Sequence, residues 1–82
     1  MIPKIKAFSL QNNYLLFPEF DDGKKVIYNI NDDIEKTPFF IELKDNVYLY
    51  NSAQLDLSRT IISWTENIDL PSDIIYNYGK II

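Results

Sequence analysis

Tyr14-Leu15-Leu16-Phe17-Pro18-Glu19-Phe20, then Asp21-Asp22-Gly23, then Lys24-Lys25-Val26-Ile27-Tyr28-Asn29-Ile30, is the stretch that decides the fold. Two runs rich in β-branched and aromatic residues flank a cluster of turn formers, which predicts a β-hairpin. Parity sets the loop length. Tyr14, Leu16 and Phe20 share one face of the first strand, and Val26, Tyr28 and Ile30 share one face of the second. A two-residue Asp22-Gly23 loop would put those sets on opposite faces. A three-residue loop pairs Phe20 with Lys24, Pro18 with Val26, Leu16 with Tyr28 and Tyr14 with Ile30, which brings them together. Gly23 then takes the left-handed position that closes a type I turn with a bulge. Pro18 has no N–H for the ladder, so the expectation is a free edge or a bulge there.

The same register sends Leu15, Phe17 and Ile27 to the other face, with Phe17 opposite Ile27 and Glu19 opposite Lys25. That second face is not polar. Two readings stand: another part of the chain covers it, or it is an exposed patch that binds a partner. The candidate partner-binding residues are therefore Leu15, Phe17 and Ile27.

Outward from the hairpin, Asn31-Asp32-Asp33-Ile34-Glu35-Lys36 has the form of a capped first helical turn, with acids where the helix dipole favours them. Thr37-Pro38 interrupts it. Phe39, Phe40 and Leu43 fit a short helix, and Val47-Tyr48-Leu49-Tyr50 fits either a helical turn or an extended segment. Ala53, Leu55 and Leu57 alternate with polar residues, as do Thr60, Ile62 and Trp64, which predicts a second hairpin pairing Leu55 with Ile62 and Ala53 with Trp64. Ser58-Arg59 suits the tight two-residue turns poorly, so a four-residue loop is a further option. Pro71 to Tyr78 reads as a closing helix, with Asp69 as its N-terminal cap and Gly79 as its stop. The expected fold is a single α+β domain over residues 1–82, two antiparallel β-hairpins forming a sheet with short helices packed against it.

Eighty-two residues leave room for one core, and a composition 46% hydrophobic and 24% charged excludes intrinsic disorder. With no Cys and no His there is no thiol nucleophile, no disulfide, no imidazole base and no zinc site of the usual ligands. The serines consequently have no histidine base and no nucleophile elbow. Asp21-Asp22 with Glu19 lacks the regular oxygen spacing of a calcium loop. Glu66, Asp69 and Asp73 could serve as a carboxylate pair only across a sugar cleft that so short a chain can hardly build. No cofactor is expected, and the chain reads as non-enzymatic. A net charge of -4 is the wrong sign for a phosphate-binding surface, so no direct nucleic acid ligand is expected. The apolar runs are too short to span a membrane and the N-terminus lacks a signal-peptide core, so the expected location is cytoplasmic. Thirteen Ile and eight Asn beside two Ala point to an AT-rich bacterial or phage genome.

Tyr14, Leu16, Phe20, Gly23 and Tyr28, then Phe40 and Leu43, and the closing run from Trp64 to Tyr76 together resemble the bacterial domain of unknown function 2442 family. Pro18 and the absence of a glycine after Trp64 depart from its pattern. The resemblance implies a compact α+β fold, and membership among proteins that look like stand-alone small chains or like N-terminal domains ahead of a helix-turn-helix, some of which sit beside a second small gene in a toxin–antitoxin-like arrangement. It carries no helix-turn-helix onto these residues. The function expected is a small protein-binding or regulatory module, the antitoxin-like partner of another small protein, or one that pairs with itself as a homodimer. The alternative is an acidic phage-type inhibitor that contacts a basic host enzyme.

Overall fold

The computed structural model describes residues 2–82 and is α+β, with two antiparallel sheets and short helices packed against them. Strands β1 (Ile5–Leu10), β2 (Leu15–Phe20), β3 (Val26–Asn29) and β7 (Lys80–Ile81) form one sheet in the order β1-β2-β3-β7. Strands β4 (Gln54–Leu55), β5 (Ile61–Thr65) and β6 (Ile68–Pro71) form the other. Each hairpin read from the sequence lies in its own sheet and is extended there by further strands. Helix α1 (Asn31–Lys36), a 3₁₀ turn (Phe40–Leu43) and helix α2 (Val47–Tyr50) connect the sheets, and helix α3 (Ser72–Tyr78) precedes β7.

The first hairpin has the register that parity requires. Leu16 lies opposite Tyr28 and Glu19 opposite Lys25, which places Phe17 across from Ile27. Phe20 N–H donates to the Lys24 carbonyl at 2.9 Å, closing a three-residue loop, and Gly23 sits at φ 90°. Pro18 does not mark a free edge, because β2 lies between β1 and β3. Its missing N–H is accommodated by a break in the ladder between Leu16↔Tyr28 and Glu19↔Lys25, while the register shift falls on β1, between Ile5 and Ala7.

In the second hairpin Leu55 lies opposite Ile62, and Asp56 N–H donates to the Ile61 carbonyl at 3.0 Å, which leaves Leu57–Thr60 as a four-residue loop. Asp56 Oδ1 accepts from the N–H groups of Thr60 and Ile61, so the loop is held by a side chain instead of a glycine.

Two local expectations give way to other solutions, and a third holds for a different reason. Asn31 is the first residue of α1, and Asn29 Oδ1 accepts its N–H at 3.0 Å, because the tight exit from β3 leaves Asn29 nearest that orphan donor. Asp69 is exposed on β6 opposite Ser63 and caps nothing, since the strand continues to Pro71. Gly79 does end α3, but at φ -70° and ψ 153°, outside the left-handed region. The glycine is required by proximity: a Cβ there would meet Val26 Cγ2 at 2.7 Å and the Ile75 carbonyl oxygen at 2.8 Å.

One core joins both sheets. Ile5, Leu16, Phe20, Val26 and Tyr28 from the first sheet meet Ile62, Trp64, Ile68 and Leu70 from the second, with Ile30 from the turn after β3 and Ile34, Phe40, Leu43, Tyr50 and Ile75 from the helical segments. Trp64 is a core residue whose Nε1–H donates to the Tyr50 carbonyl at 2.8 Å. The hairpin tips are fastened to each other by Arg59, which forks onto both Asp21 oxygens at 2.7 and 2.8 Å. The Arg59 carbonyl accepts from Ile5 N–H as well.

Candidate functional site

The alternation that buries Leu16, Val26 and Tyr28 must turn Leu15, Phe17 and Ile27 to the opposite side of the first sheet. The structure brings these three together there. None is sealed: each is half-buried, whereas Leu16 and Val26 on the inner side are fully buried. Phe17 and Ile27 occupy the centre of the sheet and Lys80 of β7 lies beside Ile27, so a single row runs Ser9, Phe17, Ile27, Lys80 across all four strands.

Two shallow depressions flank that row. One is walled by Leu15, Ile27, Ile74, Tyr78 and Lys80, with Asn29 and Asp32 at its end. The other holds Phe17 between Ala7, Glu19, Lys25 and Ile82. The apolar surface therefore extends beyond the three residues expected, to Ile74, Tyr78 and Ile82, which are themselves exposed. The sequence left the Lys80-Ile81-Ile82 tail unassigned, and the one available signal was two consecutive Ile after a helix stop. Charges on this face alternate in sign, with Glu19 opposite Lys25 and Asp32 facing the same depression as Lys80.

Elsewhere several ionisable groups are committed to the fold. Asp22 accepts from Tyr76 O–H at 2.7 Å and from Lys24 N–H at 2.9 Å, and the Tyr76 bond above all holds its carboxyl below the ordinary range. The Arg59 hydrogen bond does the same for Asp21. The Lys24 ammonium stands 3.8 Å from the Tyr76 ring centroid and donates to the Tyr76 carbonyl. Tyr28 O–H donates to Asp33 at 2.7 Å; burial first, and that bond second, push the phenol far up, and burial raises Asp33 too. Burial likewise pushes the Tyr50 phenol up to about 12. Glu66, Asp69 and Asp73 are all exposed, and among the described residues no three acidic side chains converge on a point that could hold a metal ion. A depression beside the first hairpin tip, lined by Ile2, Pro3, Lys4 and Phe20, is bordered by Asp21 and Asp22, whose carboxylates are already engaged as described.

No helix is long and apolar enough to cross a membrane. No family model, curated protein or solved structure compared with the chain matches it, so the family resemblance of the sequence stays an expectation.

Proposed function

We propose that the chain is a non-enzymatic protein-binding module that docks a small partner protein on the outer face of its first sheet. One observation carries this reading: Phe17 and Ile27 lie directly across from each other at the middle of that sheet, partly covered but not sealed, and run into the exposed Ile74, Tyr78 and Ile82. Large residues that pack against each other and stay accessible form the kind of patch that marks contacts in soluble proteins. The partner this surface suits presents apolar side chains at its centre and is basic overall, since a net charge of -4 would steer it in. A regulatory or neutralising role, as in an antitoxin-like pair, follows from a module that binds without chemistry of its own. The inhibitor reading shares the surface and differs in the partner, which would then be an enzyme.

The test places a photo-crosslinking residue at position 17 in one variant and at Tyr48, exposed on α2, in another. The expected result is one basic protein linked from position 17, absent from the Tyr48 variant and lost when Ile27→Glu is added. Linking from both positions alike, or survival of the link in Ile27→Glu, would overturn the reading.

A further inference from the structure

The open edge of β1 carries an inference independent of the docking face. Gln11 N–H donates to the Leu15 carbonyl at 2.9 Å, and Gln11, Ser9 and Ala7 continue that register along β2. In an antiparallel ladder the backbone groups of alternate residues point to opposite sides. Those of Phe8 and Leu10 therefore point away from β2. β2 is the strand paired with β1, and among the described residues no hydrogen bond takes up these outward groups.

Exposed edges are ordinarily guarded by charge, proline, bulges or short length. In β1 the guards stand at its beginning: Lys4, Lys6, the register shift between Ile5 and Ala7, and the hydrogen bond that Ile5 gives to Arg59. Beyond them, residues 7 to 18 form the longest run of the sequence without a charge. Ala7 and Ser9 are exposed, and Phe8 and Leu10 are half-buried.

We propose that β1 pairs antiparallel with β1 of a second copy about a twofold axis at Ser9, joining the two sheets edge to edge. In this register Phe8 lies opposite Leu10 of the second copy. The two residues exchange backbone hydrogen bonds, and their half-buried side chains complete each other. Moving the axis to Phe8 would set Lys6 against Leu10 and draw the register shift into the pair. A second copy fits better than a foreign strand, because the run is its own apolar complement. It also brings no like charges together in a chain that otherwise repels itself at a net charge of -4.

Ser9 self-pairs as a position without mutual hydrogen bonds, where Cα atoms lie about 4.5 Å apart, a separation that a disulfide spans. The chain has no cysteine of its own, so Ser9→Cys introduces a single thiol. Sedimentation of the unmodified chain is expected to show a dimer, and mild oxidation of Ser9→Cys to convert it to a covalent one. Ala7→Cys, whose thiols would face Gln11 of the other copy, should link far more slowly. Ser9→Lys sets two ammonium groups against each other and should return the chain to monomer. A monomer across the whole concentration series would overturn the proposal. So would equal linking by Ser9→Cys and Ala7→Cys, or a dimer that survives Ser9→Lys and is lost in Phe17→Glu, which would put self-contact on the docking face.

Discussion

The two faces of the β2–β3 hairpin are built from similar residues and meet different fates. On the inner face Leu16 and Val26 are 0% exposed and Phe20 is 1%, under a lid of helices and the second sheet. On the outer face Leu15, Phe17 and Ile27 are as apolar and stay half-buried, bordered by β7 and α3 without being enclosed. Hydrophobicity alone does not decide which face is the core. The second sheet, Arg59 on Asp21 and Ser72 on the Pro3 carbonyl all pull the rest of the chain to one side of the hairpin.

The comparison breaks hardest at the inner face. Leu16→Ala should cost about 2–5 kcal/mol, through lost transfer energy and a cavity that surrounding strands cannot close. Chemical denaturation reads it directly, and a loss no greater than that of Leu15→Ala would mean that the two faces are energetically alike.

Gly79→Ala probes the same inner side from the far end of the chain. Its Cβ would press on Val26 Cγ2 and the Ile75 carbonyl, and overpacking of this kind costs about 1–3 kcal/mol. Gly23→Val should cost about 1–2 kcal/mol for a different reason. No atom lies within 4 Å of a Cβ built there, so the penalty arises wholly from the backbone at φ 90°. Thermal melts of the two variants together with a Gly23→Asn chain separate the causes, because Asn tolerates the left-handed region and should recover most of the Gly23→Val loss.

How much of this was legible depends on where each element gets its stability. The first hairpin was readable because parity and a turn glycine fix it locally, and α1 because acids cluster at its start. Strand β1 was not, since Ile5-Lys6-Ala7-Phe8-Ser9-Leu10 shows weak alternation and exists by pairing with β2. β6 is four residues ending in Pro71, a pattern that equally suits the approach to a helix, and β7 is two residues held by β3 alone. Leu15, Phe17 and Ile27 were legible as a shared face. Ile74, Tyr78 and Ile82 were not, because they join it only through the return of the C-terminal segment onto β3.

Titration sharpens the contrast between buried and exposed polar groups. Asp21, Asp22 and Asp56 have carboxyl pKa values lowered from 3.8 in the folded chain, so their stabilisation is present above that value and is lost as pH falls through their folded values. Asp33 runs the other way: burial raises it, and its contribution is lost as pH rises through the raised value. Tyr28 is raised from 10.0, so stability should also decline as pH climbs past that value and the unfolded chain alone releases the proton. Melts recorded across pH should therefore fall at both ends, with a shallower alkaline decline in Tyr28→Phe.

Phe17→Glu, measured at once for stability and for capture of the partner linked from position 17, tests the division of the hairpin into a core face and a docking face most directly. The account predicts an unfolding free energy changed by no more than about 0.5 kcal/mol, as for substitutions away from the core, together with loss of capture. A variant that unfolds, or one that stays folded and still binds, would contradict it.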